Sequence, residues 1–475
     1  MEFETVIGLE VHVQLNTKTK IFAGVPANFG DFPNENICPV TLGLPGSLPV
    51  LNKSVLRSAI LLGLATNCEI SKKSIFARKH YFYPDSPKGY QISQFEEPIC
   101  ERGSLTIKLE DTTRTIGITR IHMEEDAGKS IHDPKNSSSY IDLNRAGTPL
   151  LEVVSEPEIR SPKEAVEYVK TLRQLVCWLN ISDGNMEEGS LRCDANISLR
   201  PKGSLKFGTR TEIKNINSFK FIEKAIIYEV ARQHKLIKSG VKIVQETRLY
   251  DSDKDVTKSM RGKEGAADYR YLPDPDIPPV IIEDSYLKKI KNELPKLPED
   301  CYLGLVEQNG LSEYDAKIIT SEKSYYDLFI ETYKTSNNSK SSASWIINEY
   351  LAFLNRIDDD DEIQAISGEQ LGELILLIDN GVISNKIAKR IFEEMLETGE
   401  TPKRIVSKLG LEQISDKNEL TNIINEILSK NPNQVEQYKT GNTKIIGFFV
   451  GKVMQVTSGK AEPKIVNEIL KELLS

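Results

Sequence analysis

The chain has 475 residues and few cysteines, none of them placed for a disulfide framework or a cysteine-rich metal site. Its six cysteines are scattered, and no two of them form a CxxC pair. Scattered cysteines are typical of reduced thiols, so we expect a cytoplasmic protein.

Long apolar runs and a leader pattern are also missing. The longest apolar run, residues 59–65, is far shorter than the roughly 18 residues that a membrane-spanning helix needs. The first residues are acidic, unlike the basic and then apolar start of a signal peptide. We therefore expect no membrane partner.

The motifs of common hydrolases and phosphate-binding loops are absent. Neither GxSxG nor HExxH occurs. Gly128, Lys129 and Ser130 resemble the end of a P-loop, but Met123 stands where that motif requires glycine. There is also no Gly/Ser-rich stretch of the kind that houses an amidase serine. We infer that this chain does not release ammonia or cleave peptides with a serine nucleophile.

Excess positive charge is lacking as well, since 61 basic against 69 acidic residues give a net charge of −8. A uniformly basic nucleic-acid-binding surface is thereby excluded. The charge is uneven, however, and residues 200–224 hold seven basic and two acidic side chains. Such a patch can contact phosphate, although a solvated surface explains it too.

The composition changes near residue 290. Before it, glycine, proline and β-branched residues punctuate short runs, which is typical of sheets and loops. After it, a 3.6-residue apolar period predicts helices, and the acidic run at 358–362 predicts a linker. The expected division is 1–290 mixed α and β, 291–357 all-helical and 363–475 all-helical.

Residues 7–15 alternate between apolar and polar side chains, which predicts a strand with one buried and one polar face. Glu10 and His12 are neighbours on the polar face, about 7 Å apart along the strand. A carboxylate and an imidazole at that spacing can share a divalent cation or act as an acid and base pair. A polar edge strand facing solvent is the alternative.

Three other segments place polar groups in suggestive surroundings. Residues 191–200 alternate in the same way, with Arg192 and Asp194 on the polar face. Glu152 lies within an apolar strand, where a carboxylate needs a cation, a metal or hydrogen-bond donors. Lys79 and Tyr81 belong to a segment that mixes bases with aromatics and suits a nucleotide or an RNA end. Solvent-facing strands, a structural ion pair and a packed aromatic loop are the respective alternatives.

A series of motifs resembles one family in order along the whole chain. The sequence is similar to the B subunit of the tRNA-dependent aspartyl/glutamyl amidotransferases. The matching motifs are IGLEVHV at 7–13, KHYFYPD at 79–85, YQISQ at 90–94, HMEEDAGK at 122–129, DLNR at 142–145, MEEGSLRCDAN at 186–196, KNINS at 214–218, DYRY at 268–271 and GFFVGK at 447–452.

The resemblance implies a fold and a reaction. The implied α+β fold is an N-terminal cradle of antiparallel sheet with helices, followed by an all-α domain and an all-α tail that binds tRNA. The implied enzyme is a carbon–nitrogen ligase with glutamine as amido donor. ATP phosphorylates the side-chain carboxylate of Glu-tRNA(Gln) or Asp-tRNA(Asn), and ammonia from a separate glutaminase A subunit displaces the phosphate. A small C subunit completes the implied heterotrimer.

The resemblance also implies site residues. Those implied for catalysis and magnesium are Glu10, His12, Glu125 and Glu152. Those assigned to ATP or the acylated 3′ end are Lys79, Tyr81, Arg192 and Asp194. The candidate tRNA contacts in the tail are Lys386, Lys389, Arg390, Lys452 and Lys460, for which ordinary solvated side chains are the alternative. Among the proposed magnesium ligands, His12 is unusual for so hard an ion.

One departure from the family pattern concerns zinc. Many members carry two cysteine pairs near residues 23–41, but here Ala23 and Val25 replace the first pair, and Thr41 replaces the partner of Cys38. One thiol cannot form a tetrahedral cysteine site, so we expect no structural zinc. A tRNA-binding scaffold subunit without catalytic chemistry is the alternative function that the sequence leaves open.

Overall fold

The structure is a computed structural model with side chains. It describes residues 2–110, 112–133, 138–262, 269–356, 364–410, 416–440, 442–457 and 460–474. Strands dominate the N-terminal part and helices the C-terminal part, which confirms the predicted α+β class. No helix within these ranges combines the length and apolarity that crossing a bilayer requires.

The chain forms two compact units, 1–298 and 299–475. The strands are β1 Phe3–Gln14, β2 Glu69–Ile70, β3 Lys73–Ser74, β4 Ala77–His80, β5 Tyr90–Ser93, β6 Cys100–Lys108, β7 Thr113–Glu125, β8 Lys129–Asp133, β9 Ser138–Asp142, β10 Pro149–Ser155, β11 Leu191–Pro201, β12 Thr211–Lys214, β13 Glu246–Asp251, β14 Val256–Gly262, β15 Leu272–Pro273 and β16 Val280–Ile281.

Helices cover the sheet in the first unit and make up the second. They are α1 Pro39–Leu42, α2 Lys53–Ala65, α3 Pro162–Trp178, α4 Phe219–Lys238, α5 Asp284–Glu293, α6 Pro298–Glu307, α7 Glu313–Ile319, α8 Lys323–Ser336, α9 Ser339–Trp345, α10 Leu351–Leu354, α11 Gly368–Asp379, α12 Asn385–Thr398, α13 Pro402–Leu409, α14 Lys417–Lys430, α15 Pro432–Lys439, α16 Ile446–Val456 and α17 Pro463–Leu474. A π-helical turn, Ile346–Tyr350, joins α9 to α10.

The main sheet of the first unit has nine strands within the described ranges, in the order β14-β13-β12-β11-β1-β10-β7-β6-β2. Its neighbouring strands are antiparallel except for β12 and β13, which are parallel. The sheet is therefore mixed rather than purely antiparallel. The helix α4 lies between these two strands in sequence, as a parallel pair needs a long crossover connection.

The alternation predicted for residues 7–15 forms β1, the central strand. Leu9, Val11 and Val13 are fully buried on one face. Helices α2, α3 and α4 contribute to the same core, and α4 begins where the Ser218 hydroxyl accepts a hydrogen bond from the Phe221 amide. This packing leaves the other face of β1, with its polar side chains, open to form a site.

The described residues of the second unit form two hydrophobic cores. One joins buried residues between 305 and 406, and the other joins residues between 420 and 474. The first core packs α8 against α11, so it unites helices on both sides of the division that the sequence suggested at 357–363. The predicted linker at 358–362 lies outside the described residues.

The sheet is tied to α4 by a buried carboxylate, which gives a test of the fold. Glu229 is fully buried and accepts hydrogen bonds from Arg232 at 2.7 and 2.8 Å, while Arg248 lies 3.6 Å away. Glu229→Ala leaves two guanidinium groups without this partner. We expect the free energy of unfolding of this unit to fall by about 3–5 kcal/mol, measured by chemical denaturation.

The control is Lys235→Ala on an exposed part of the same helix, which should change stability by less than about 0.5 kcal/mol. The chain has two tryptophans, Trp178 in the first unit and Trp345 in the second. In a Trp345→Phe background, fluorescence therefore reports the first unit alone. Equal stability of the two variants would contradict the role assigned to Glu229.

Candidate functional site

Three neighbouring strands bring two histidines against one carboxylate. His12 of β1 lies opposite Glu152 of β10, and Glu152 lies opposite His122 of β7. Directly opposite residues project from the same face of a sheet. The Oε2 atom of Glu152 is 3.4 Å from Nε2 of His12 and 3.2 Å from Nε2 of His122.

Glu124 and Lys79 extend this row into a chain of alternating charges. Glu124 follows His122 by two residues, so it lies on the same face, with Oε2 3.6 Å from the His122 Nε2. Lys79, on β4 of a separate three-stranded sheet, places Nζ 3.3 Å from the other Glu124 oxygen. We call these five residues the sheet-face centre: Lys79, Glu124, His122, Glu152 and His12.

The pKa shifts in the sheet-face centre follow from its charge pairing. Burial opposes protonation of His122, but Glu152 and Glu124 outweigh it and raise the pKa to about 9. Burial likewise favours neutral carboxyl groups, but His122 and His12 lower the pKa of Glu152 well below its usual value. Lys79 and His122 lower the pKa of Glu124 in the same way. The carboxylates are thus ionised although they are buried.

One group of this centre has the composition of a cation site. A ligand atom from each of His12, Glu124 and Glu152 lies within 4.8 Å of the others. Glu124 and Glu152 are buried, and Oε2 of Glu124 makes no hydrogen bond among the described residues, although Nε2 of His122 lies 3.6 Å from it. A buried carboxylate oxygen with no donor at hydrogen-bond distance is suited to bind a cation.

Glu125 lies on the opposite face, away from this group. Its Oε1 accepts a hydrogen bond from the Ile92 amide at 2.8 Å, and its Oε2 lies 2.6 Å from Nζ of Lys88. The structure therefore does not bring Glu125 together with His12 and Glu152, although the resemblance implied that they share one site. Glu124 takes that place.

A register irregularity explains the difference between the two glutamates. Ile116 and Ile118 are buried, but farther along β7 the buried residues are Ile121 and Met123. The pairing with β10 skips one residue of β7, Thr119. An extra residue of this kind shifts every later side chain to the other face. If the alternation of Ile116 and Ile118 is continued past Thr119 without this shift, Glu124 is assigned to the apolar face and Glu125 to the polar face. The structure shows the reverse.

A second acidic group lies beside the first on the same face. Ligand atoms of Glu10, Asp194 and Glu212 also lie within 4.8 Å of one another. Lys214 neutralises part of this charge, with Nζ 2.5 Å from Asp194 and 3.2 Å from Glu212. Burial and the neighbouring carboxylates raise the pKa of Glu10. Glu10 thus belongs to this group with Asp194 rather than to the group that contains Glu152.

The remaining predicted residues have different surroundings. Arg192 lies opposite His12 and donates a hydrogen bond to Asp126 at 2.8 Å. Tyr81 is partly buried, and burial together with Asp85 raises its pKa to about 12. Because Arg192 lies opposite His12, it borders the sheet-face centre.

The predicted tail contacts lie in the second unit. Lys386, Lys389 and Arg390 are exposed on α12, and Lys389 forms an ion pair of 2.7 Å with Glu349. Lys452 is exposed on α16, and Lys460 precedes α17. Their role in tRNA binding stays a prediction.

Hydrogen bonds hold the segment around Cys38, for which we predict no structural zinc. The Thr41 hydroxyl accepts a hydrogen bond from the Cys38 amide at 2.8 Å. Lys20 is fully buried, and its ammonium donates to the Asn36 carbonyl at 2.5 Å. Burial lowers the pKa of Lys20 to about 8. The expected absence of structural zinc stays a prediction.

Analysis of the sequence did not assign His122, Glu124, Glu212 or Lys214 to the site. A signal for the first two was present, because His122 and Glu124 repeat the spacing of Glu10 and His12 within a β strand. The other two lie on β12, whose short sequence has no clean apolar face.

The fold and the sheet-face centre define a class: an α+β protein with an ionised, cation-attracting centre on an open sheet, followed by a helical region. Comparison with known proteins gives the family. Residues 5–288 match the family model described as the GatB/GatE catalytic domain, and residues 327–474 match the one described as the GatB domain.

Relatives match over full length. The chain is 55% identical to the B subunit of the aspartyl/glutamyl-tRNA(Asn/Gln) amidotransferase of Trichlorobacter lovleyi, with all of both chains covered. It is 53% identical to the protein of the same name in Thermodesulfovibrio yellowstonii, and 54% to that in Chlorobaculum tepidum, again with full coverage of both chains. The chain belongs to the family of these amidotransferase B subunits.

The charge pairing of His122 gives a test in the metal-free protein. Its pKa of about 9 lies above the usual 6.5, so its contribution to stability is complete below pH 6.5. That contribution should be lost as the pH rises from about 6.5 to about 9. With ¹³C-labelled histidine and a chelator, we expect one of the five imidazole resonances to titrate near pH 9.

The His122→Gln variant assigns the resonance, because that signal alone should disappear. A His122 midpoint at or below 6.5 would show that Glu152 and Glu124 do not hold the imidazolium.

Proposed function

We propose that this chain is the subunit that activates and amidates the aminoacyl group of misacylated tRNA. In this proposal, ATP transfers its γ-phosphoryl group to the side-chain carboxylate of Glu-tRNA(Gln) or Asp-tRNA(Asn). Ammonia then attacks the acyl phosphate, phosphate leaves, and the amide forms. The observation that carries the proposal is the sheet-face centre, in which the buried Oε2 of Glu124 makes no hydrogen bond among the described residues, in a chain of this family.

The residues present fit a magnesium ion. The group of His12, Glu124 and Glu152 supplies two ionised carboxylates, and oxygen is the ligand that Mg²⁺ prefers. The buried Oε2 of Glu124, which makes no hydrogen bond among the described residues, is the observation that supports the fit. A bound Mg²⁺ would neutralise charge on the phosphate oxygens.

The cationic residues of this face have distinct roles in the proposal. Lys79 belongs to the centre and Arg192 borders it, and both are suited to hold anionic oxygens of ATP or of the acyl phosphate. Asp126 fixes the Arg192 guanidinium through its 2.8 Å hydrogen bond. His122 keeps Glu152 ionised and oriented, and therefore acts as a positioning residue.

The proposed partners follow from the relatives' name and from the residues. The relatives are named as one subunit of an amidotransferase, so we propose assembly with a glutaminase A subunit and a small C subunit. Among the described residues, the first unit does not present a serine-nucleophile motif, which fits ammonia made on another chain. Misacylated tRNA is the proposed macromolecular substrate, and the helical second unit is proposed to contact its phosphates.

Glutamate-to-glutamine substitution in the centre tests the proposal. In the reconstituted three-subunit complex, Glu124→Gln and Glu152→Gln should each lower amide formation from misacylated tRNA by about 100-fold or more. The reason is that each removes a carboxylate charge where phosphate charge must be balanced. Mn²⁺ binding, followed by electron paramagnetic resonance, should weaken in parallel, while tRNA binding is retained.

The matched control is Glu69→Gln, an exposed glutamate at the edge of the same sheet, which should leave amide formation unchanged. Full activity of Glu124→Gln and Glu152→Gln would remove the centre from the reaction. The scaffold function would then be favoured.

Charge reversal on α12 tests the tRNA contacts. Lys386→Glu together with Arg390→Glu should weaken tRNA binding, because two potential phosphate contacts are lost. The slope of log affinity against log salt should become shallower by about 1 for each lost contact. Lys389→Glu should have a smaller effect, since Lys389 is already paired with Glu349. An unchanged salt dependence would exclude this helix from the tRNA interface.

A further inference from the structure

Residues 269–276, which include the short strand β15, run beside β4, the strand that carries Lys79. We call this segment the 269–276 strap. β4 is the middle strand of the small sheet β15-β4-β5. The His80 amide donates to the Tyr269 carbonyl at 2.8 Å, and the Asp274 amide donates to the carbonyl of the residue before β4, also at 2.8 Å. The strap is therefore bound to β4 on both sides of Lys79.

Side chains fix the strap at both ends. The Arg78 guanidinium donates to Asp274 at 2.9 Å and to Asp276 at 2.6 Å, and the Asp274 side chain is fully buried. At the other end, Nδ1 of His80 lies 2.9 Å from the Arg270 carbonyl oxygen. Arg270 has a φ of 40°, a left-handed conformation that residues other than glycine rarely adopt. Such a conformation persists only where the surrounding structure fixes it.

The strap places two tyrosine rings next to Lys79. The ammonium of Lys79 lies over the Tyr269 ring, 5.4 Å from its centre, which is within the range of a cation–π contact. The Tyr271 ring meets the Tyr269 ring edge to face, with centres 6.3 Å apart. Tyr271 in turn stacks on Phe95, with centres 4.2 Å apart. The rings thus form a row, and Tyr269 is the member that contacts the ammonium.

The Lys79 ammonium keeps donors for a further acceptor. Within the described ranges it donates to Oε1 of Glu124 at 3.3 Å, and two of its three N–H groups have no acceptor there. A lysine side chain has a flexible four-carbon stem, so one hydrogen bond alone does not fix its direction. The Tyr269 ring supplies a second contact. The face of a ring attracts a cation without neutralising it, as a second carboxylate would.

We propose that Tyr269 is a positioning residue that directs the Lys79 ammonium toward the reacting oxygens above the sheet-face centre. This rests on the proposed function, in which Lys79 holds anionic oxygens of ATP or of the acyl phosphate, and it adds the residue that orients the ammonium. The strap fixes the Tyr269 backbone, and Tyr271 supports the ring. Lys79 is thereby held between one carboxylate and one ring, with its remaining N–H groups free for substrate.

A nuclear magnetic resonance measurement tests the contact without any ligand. In the full chain with ¹³C-labelled lysine, the Hε resonances of Lys79 should lie upfield of those of solvated lysines, because protons above an aromatic ring are shielded. Lys79→Met assigns these signals, since they alone should disappear. Tyr269→Phe should retain the upfield shift, whereas Tyr269→Leu should abolish it.

Kinetics in the three-subunit complex test the positioning role. Tyr269→Leu should lower kcat for amide formation about tenfold, with a smaller change in the KM for ATP. Tyr269→Phe should restore activity, because the ring is retained without its hydroxyl. The double variant of Lys79→Met with Tyr269→Leu should be no slower than Lys79→Met alone, since Tyr269 acts through Lys79.

The matched control is Tyr140→Leu, which changes a tyrosine that is 57% exposed on β9 of a separate two-stranded sheet. It should leave kcat unchanged. The Tyr269 ring is itself 38% exposed, so Tyr269→Leu should unfold at the same temperature as the native chain.

The proposal is overturned if Tyr269→Leu is as fast as the native complex, or if the losses caused by Lys79→Met and Tyr269→Leu multiply in the double variant. It is also overturned if the Hε resonances of Lys79 show no upfield shift. Failure of the proposed function looks different. In that case Lys79→Met would be fully active, or the native complex would form no amide with ATP, while the upfield shift of Lys79 would remain.

Discussion

The buried carboxylate of Glu152, placed between the imidazoles of His12 and His122, is the interaction on which the polar face of the sheet depends. A carboxylate buried without compensating charge would favour its neutral form. Here the compensating groups come from the two strands that flank β10, at directly opposite positions. The register of the three strands therefore determines whether these charges meet, since a slip of β10 by one residue would move Glu152 to the apolar face.

The faces of β1 and β7 show which parts of the site could be predicted from the sequence. The alternation in residues 7–15 identified the strand, its buried face and the positions of Glu10 and His12, because period two reports the face directly. On β7 the skipped residue Thr119 changes the face of every later side chain. This change of phase is visible in the sequence, because the apolar positions move from Ile116 and Ile118 to Ile121 and Met123. Glu125 was assigned from the family resemblance instead, and the structure places Glu124 on the polar face.

Contacts between segments that are far apart in the sequence were the second feature that could not be predicted. Lys79 belongs to a separate small sheet, and Lys214 lies on the strand that precedes α4. Their proximity to Glu124 and Asp194 results from tertiary packing, which local periodicity does not encode. The helical period after residue 290 was clear, by contrast, because several helices there, among them α11, α12 and α14, bury one apolar face. Which helices share a core depends on packing and was less predictable.

The arrangement of charges also suggests why the centre contains more cations than a metal site alone requires. A dication held by His12, Glu124 and Glu152 would need the His12 imidazole in its neutral form. Lys79 and His122 lie outside this set of three and can keep their charge. They pair with Glu124 and Glu152 and lower the pKa of both carboxyl groups. The imidazole that would bind an ion is therefore distinct from the two groups that keep the carboxylates prepared as ligands.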